Sequence, residues 1–208
     1  VSVLTLDLLR HGDAEDAGCY RGRTDSALTA LGRRQMQAYG AENPGWQRIL
    51  CSPLRRCAQP AAELAQGLQL ECATDARLLE LDFGRWDGRP YADVWQQEQA
   101  AVLAFWRDPQ AHPPPGGEAI AAFCARLASL QHELKAESIA TAEGDTHLLL
   151  LTHAGVIRGL LGTALGLEAS HWSQLRIDTA SLSRLRLGRD GAHGWCELSF
   201  MNRVRGIR

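Results

Sequence analysis

Leu8-Leu9-Arg10-His11-Gly12 is the stretch from which the chain is best read. Ahead of it, Val3, Leu4, Leu6, Leu8 and Leu9 form a nearly unbroken apolar run. Such a run predicts a strand over residues 3–9 that is buried on both faces. It ends in a guanidinium, an imidazole and a glycine. In an α/β sheet ligands bind outside the carboxyl ends of the strands, so Arg10 and His11 would face a crevice. A second apolar run, Leu148-Leu149-Leu150-Leu151-Thr152, closes on His153-Ala154-Gly155 in the same way. Equivalent ends of parallel strands share one sheet edge, which makes His11 and His153 expected neighbours despite their distance in sequence.

Between these runs the elements alternate. Thr29 is placed to cap a helix beginning at Ala30, and Asn43-Pro44-Gly45 to stop it. Arg48-Ile49-Leu50-Cys51 predicts a short strand. Ser52 and Pro53 then carry the residue types of an N-cap and a first helical position, and Pro60 is expected to kink or break the helix that follows. Leu78–Gly84 predicts an extended or turn segment. Residues 91–107 predict a helix with Trp95, Val102, Leu103 and Trp106 as its apolar contacts. After the Pro113–Gly117 break, Ile120, Phe123, Leu127, Leu130 and Leu134 recur at helical spacing. Residues 137–146 predict a polar loop, Val156–Leu167 a helix and Ser181–Leu187 a late strand. Gly191–Gly194 predicts a turn, with Trp195–Phe200 as hairpin partner. Strands alternating with helices indicate an α/β fold with a largely parallel sheet. The chain of 208 residues suits one domain, 1–208, with an insertion over one sheet end at roughly 85–117.

Composition narrows the function classes. A net charge of −2 without charge blocks leads to no expectation of a nucleic-acid or membrane partner. No apolar run approaches a bilayer span. The start Val1-Ser2-Val3 has no basic n-region and no initiator Met, as expected of a processed or trimmed chain. The cysteines at 19, 51, 57, 72, 124 and 196 lack metal-finger spacing, which predicts reduced, mostly buried thiols in a cytoplasmic protein.

The polar residues suggest phosphate chemistry. Arg10 supplies a fixed cation, and Arg55-Arg56 follows the second strand at a helix start, where backbone N–H groups also favour anions. A neutral imidazole can attack phosphorus, arginines can hold the equatorial oxygens, and a carboxylic acid can protonate the leaving oxygen. Glu80, between Leu79 and Leu81 and near Phe83, is the candidate acid, its setting expected to raise its pKa.

These residues closely resemble the histidine phosphatase superfamily, the phosphoglycerate mutase-like family, over nearly the whole chain. The resemblance rests on Arg10-His11-Gly12 and on Gly22-Arg23-Thr24-Asp25-Ser26-Ala27-Leu28-Thr29. It continues in Ser52-Pro53-Leu54-Arg55-Arg56, Glu80-Leu81-Asp82-Phe83-Gly84 and Thr152-His153-Ala154-Gly155. It implies a three-layer αβα sandwich around a mostly parallel sheet. It also implies that His11 becomes phosphohistidine, that Arg10, Arg56 and His153 complete the phosphate pocket, and that Glu80 is the general acid. Arg21 and Gly22 fall where the family contacts substrate, and Ala154 and Gly155 would face the phosphate. Neither a metal nor a cofactor is implied, and the partner is a small-molecule phosphomonoester. Ala17 stands where many members carry Asn, and Pro60 where Thr is common.

Within the superfamily, the first strand, Tyr20-Arg21-Gly22 and Pro114-Pro115-Gly116-Gly117-Glu118 resemble α-ribazole phosphatases of cobalamin synthesis. Trp86, Trp95 and Trp106 are candidates to line a pocket for an aromatic base, with buried core packing the expected role of at least two of them. Mutase-type transfer on phosphoglycerate is the alternative function, and a non-catalytic phospho-ligand module is the remote one.

Overall fold

In a computed structural model, residues 2–41, 43–140, 144–190 and 193–205 are described. The elements are β1 (Leu4–Arg10), α1 (Ala30–Gln37), β2 (Arg48–Cys51), α2 (Arg55–Leu68), β3 (Glu71–Thr74), α3 (Tyr91–Arg107), α4 (Ile120–Ala140), β4 (Thr146–Thr152), α5 (Ala154–Ala164), β5 (Ser181–Asp190) and β6 (His193–Val204). One six-stranded sheet has the order β3-β2-β4-β1-β5-β6. The four strands from β3 to β1 are parallel, and β5 and β6 extend the sheet antiparallel.

The leucine runs build the two central strands. Side chains alternate across a strand, so Leu4, Leu6, Leu8, Leu148 and Leu150 enter one core while Leu9, Leu149 and Leu151 enter the other. Helices α3, α4 and α5 cover the first core and α1 and α2 the second, which makes three layers. The expected α4 stripe of Ile120, Phe123, Leu127, Leu130 and Leu134 is buried throughout. Among the described residues, no helix is long and apolar enough to cross a membrane.

Several local expectations need correction. Helix α2 begins at Arg55, not Pro53, and Ser52 does not cap it. The Arg55 amide is taken instead by the Asp25 carboxylate at 2.7 Å, which frees Ser52 for another partner. Nor does Pro60 break α2, which runs unbroken to Leu68. The ring is buried, and only one intrahelical donor is lost. In α3 the buried residues are Val94, Val102 and Phe105, while Trp95, Leu103 and Trp106 are 44–49% exposed. The cause is a non-helical residue, Glu98, at φ −135°, ψ 33°, which resets the helical phase. Glu98 is held there by Trp86 Nε1 at 3.0 Å and Arg89 Nη1 at 2.7 Å.

Helix α4 continues through 137–140, and β4 starts at Thr146, so the expected polar loop is shorter; 141–143 lie outside the described residues. The expected turn at Gly191–Gly194 falls partly outside them too, and β6 already begins at His193. Strand β3 was not anticipated: Glu71–Thr74 is exposed at every position and has no alternating pattern. Only Cys51 and Cys57 of the cysteines are buried, and Cys72 and Cys196 are exposed, contrary to the expected mostly buried thiols.

Candidate active site

Strand register assembles the site. Arg10 pairs with Thr152 across β1 and β4, so the next residues of both strands, His11 and His153, emerge side by side. Their ring centroids are 5.3 Å apart, edge to face, and both residues are buried.

His11 Nδ1 lies 2.7 Å from the Gly12 carbonyl. A carbonyl only accepts, so Nδ1 carries the proton and Nε2 keeps its lone pair. Burial, then the charges of Arg10 and Arg56, hold the His11 imidazole well below its usual pKa, so it is neutral near pH 7. His153 has the other tautomer. Its Nδ1 accepts from Arg56 Nε at 3.3 Å, which leaves Nε2–H to donate to Ser52 Oγ at 2.8 Å. Burial, Arg56, His11 and Arg10 hold His153 neutral as well.

Arg56 is fully buried at the start of α2. Its guanidinium donates to the carbonyls of Thr24 at 2.6 Å and of Arg21 and Gly22 at 3.2 Å, which ties the 21–24 loop to the histidines. Arg10 donates through Nη1 to the Ile177 carbonyl at 2.7 Å, while its Nε is buried with no partner. An oxyanion brought beside His11 is the kind of acceptor such a donor lacks. Arg55, by contrast, is exposed and pairs with Asp25.

Glu80 is buried, and its oxygens accept from the amides of Leu81 at 2.9 Å and Gly155 at 3.0 Å. A Cβ at Gly155 would overlap the Glu80 carboxylate and displace it. The Gly155 amide is thus committed to Glu80, contrary to the expectation that it faces phosphate. Ala154 opens α5 directly beside His153. Gly22 packs against the Leu81 carbonyl, again too close for a side chain. Arg21 turns away from the cluster: Nη1 donates to Ala14 at 3.0 Å and Glu15 at 2.6 Å, and only its charge contributes to the histidine environment. Ala17 is exposed on the same loop.

Three further residues join the site: Ser52, which stands in a quoted motif but was expected to cap α2, and Cys57 and Arg158, which no motif included. Ser52 holds His153. The Cys57 thiol packs 3.7 Å from His153 Nε2, and burial pushes its pKa well up. Arg158, one turn into α5 from Ala154 and Gly155, donates to the Leu175 carbonyl at 2.9 Å and lines a cavity with Glu80. Helical spacing from Gly155 was the available signal for Arg158. Glu118, at the end of the Pro114–Glu118 stretch, is paired with Arg126 at 2.7 Å, and Arg126 donates on to the Glu80 carbonyl at 3.2 Å.

The cavity beside Glu80 measures about 100 Å³. Its walls include Phe83, Phe105, Trp106, Phe123 and Trp172. Of the three tryptophans considered for such a pocket, only Trp106 lines it. Trp86 is core, tilted against Tyr20 with ring centroids 5.3 Å apart, and Trp95 is exposed on α3. Among the described residues, no group of three or more His, Cys, Asp or Glu could hold a metal ion.

Comparison with known proteins adds a family. The histidine phosphatase superfamily (branch 1) matches residues 6–196. A bifunctional protein of Mycobacterium tuberculosis is 32% identical over 190 residues, 89% of this chain and 50% of that protein, so the chain spans about half its length. Glucosyl-3-phosphoglycerate phosphatase of Mycolicibacterium vanbaalenii is 34% identical over 179 residues, 83% of this chain and 79% of that one. The crystal structure of the α-ribazole phosphatase of Shigella flexneri superposes with a TM-score of 0.80 at 25% identity, covering 98% of this chain and 99% of the other.

Proposed function

The chain belongs to the histidine phosphatase superfamily, and from that premise we propose that it hydrolyses a small-molecule phosphomonoester through phosphohistidine, with α-ribazole 5′-phosphate as the substrate. The observation that carries the chemistry is the His11 tautomer: Nδ1–H is bound to the Gly12 carbonyl, so Nε2 is available beside Arg10 and Arg56.

In the first step His11 Nε2 forms the bond to phosphorus. The bond from phosphorus to the ester oxygen breaks, its electron pair stays on that oxygen, and a proton from the Glu80 carboxyl neutralises it. The Gly12 carbonyl then faces a cationic phosphoimidazole, whose Nδ1–H it already accepts. Arg10 and Arg56 balance the phosphoryl oxygens, and His153, itself held by Ser52, keeps the Arg56 guanidinium in place. In the second step water attacks phosphorus, Glu80 takes a proton from it, and the phosphorus–nitrogen bond breaks to release phosphate and restore His11.

Substrate choice rests on the cavity. Its aromatic walls suit a flat apolar leaving group better than a sugar. Glucosyl-3-phosphoglycerate is the second reading, favoured by the sequence relative of that activity. The test measures phosphate release from α-ribazole 5′-phosphate, glucosyl-3-phosphoglycerate, 3-phosphoglycerate and p-nitrophenyl phosphate. A large kcat/KM preference for the ribazole ester supports the proposal. Preference for the glucosyl ester transfers the pocket to the second reading, and turnover of 3-phosphoglycerate that depends on a bisphosphoglycerate primer would make the enzyme a mutase. Phosphate binding with no hydrolysis on the whole panel would leave only a binding module.

Two variants probe the parts separately. Gly155→Ala places a methyl on the Glu80 carboxylate. It should lower kcat on alkyl esters by about 10²-fold, while p-nitrophenyl phosphate, whose leaving group needs no proton, loses much less. An equal loss on both esters would remove Glu80 from the acid role. Trp106→Ala should raise KM for the ribazole ester by about tenfold, the worth of one aromatic stack, and leave 3-phosphoglycerate unchanged. Equal KM shifts for both would separate Trp106 from the leaving group.

A further inference from the structure

A groove of about 1030 Å³ opens at the end of the sheet opposite the histidines, where β1 begins and β5 ends. Seven strand residues at about 3.3 Å each put it roughly 20 Å from His11. Helix α4 forms one wall, and the β5–β6 hairpin forms the other.

Gln131 lines this groove from α4. It is only 8% exposed, and its side-chain Nε2 is buried without a hydrogen-bond acceptor. A buried amide donor left unpaired is costly, and nothing in the described fold satisfies it. One helical turn on, Lys135 lines the same wall, and Arg189 faces it from the end of β5. Both are exposed, and neither is paired with a carboxylate among the described residues. Between them the lining is mixed: Ser2, Ser138 and Thr163 share it with Leu4 and Leu187, buried in the floor, with Ile139, 56% exposed, and with the Trp195 indole.

A donor without an acceptor and two cations without a carboxylate partner among the described residues, beside leucines and an indole, describe one ligand chemistry. We propose that this groove is a second binding site, for an organic anion with an apolar body. The anionic group would accept from Gln131 Nε2 and lie between Lys135 and Arg189, and the body would rest on Ile139 and Trp195. Among the described residues no histidine lines the groove, and the Cys196 thiol on its wall donates to the Ala164 carbonyl at 2.9 Å, so the site is assigned to binding.

The probe is 8-anilinonaphthalene-1-sulfonate, an apolar anion whose fluorescence reports binding. It is titrated into the intact protein with saturating inorganic phosphate on the catalytic side. One saturable site is expected. Affinity should fall at least tenfold in Lys135→Glu and in Arg189→Glu, and sodium decanoate should displace the probe. Gln131→Leu should weaken binding similarly. The two exposed charge reversals keep the test decisive should that core variant fold poorly, and none of the three should change phosphate release. Binding that survives both charge reversals, or that α-ribazole 5′-phosphate displaces, overturns the proposal. The probe would then lie in the aromatic cavity, with an ordered water as the Gln131 partner. A mass that doubles with concentration and reverts in Lys135→Glu would assign the groove to a second copy and overturn it too.

Discussion

His11→Ala is expected to lower kcat by about 10⁴-fold or more on every phosphomonoester the wild type cleaves, in line with the loss of a covalent nucleophile elsewhere. Only Nε2 of His11 is free to attack, and no other side chain in the cluster can take its place. The Cys57 thiol is fully buried and held protonated, and His153 has its lone pair turned to Arg56. Rapid quench of the wild type should trap a phosphoprotein whose label survives base and is lost in acid, and His11→Ala should show none. The pH profile follows from the direction of the shift. Burial, Arg10 and Arg56 keep the imidazole neutral well below 6.5. After correction for ionisation of the ester, the acid limb of kcat/KM should therefore lie below pH 6.5. The same shift acts on folding. Below pH 6.5 the unfolded chain gains a proton at His11 and at His153 that the native site refuses, so stability declines as pH falls through that value. An acid limb at 6.5 or above, or normal turnover by His11→Ala, would remove His11 from the nucleophile's role.

Where the sequence was informative, one physical signal had one explanation. A run of leucines of strand length, too short for a membrane or for a typical helix, reads as a strand buried on both faces, so β1 and β4 were visible, and their adjacency followed. Where it misled, two residues competed for one task. Ser52-Pro53 has the composition of a helix start, but Asp25, distant in sequence, reaches the α2 terminus first, and Ser52 passes to His153. Helix α3 has a clear apolar period, but a break at Glu98 shifts its phase, so the expected tryptophans lie outside and Phe105 lies inside. Arg158 carried no motif: its place in the cavity comes from helical register alone. Strand β3 had no apolar face to reveal it, because as an exposed edge it needs none.

Asp7 is the residue whose loss should most affect stability. It is fully buried in β1, on the face opposite the neighbouring leucines of the first core. Arg184 grips it with two bonds, Nε to Oδ1 at 2.7 Å and Nη2 to Oδ2 at 2.9 Å. Trp46 Nε1 donates to Oδ2 at 2.8 Å, and His147 Nε2 lies 3.1 Å from it. Burial alone would push the carboxyl pKa up. The bonds from Arg184, His147 and Trp46 outweigh it and hold the pKa at about 2, against 3.8 when free. Asp7→Leu leaves the Trp46 indole N–H buried without an acceptor and strips Arg184, 27% exposed, of its partner, and should cost about 3 kcal/mol, or roughly 10 °C in Tm. Asp7→Asn keeps the shape and removes the charge, so it isolates the electrostatic part. The native carboxyl has the lower pKa, so its charge contributes fully above pH 3.8, by about 2 kcal/mol, and this contribution drains away as pH falls toward 2. Urea midpoints should show wild type well above Asp7→Asn at pH 7, with the gap closing between pH 4 and 2. His11 and Arg10 keep their partners in this variant, so its kcat at 25 °C should stay near wild type. A gap that is absent at pH 7, or one that persists unchanged at pH 2, would mean that Arg184 and Trp46 find other acceptors and that Asp7 does not hold the second core together.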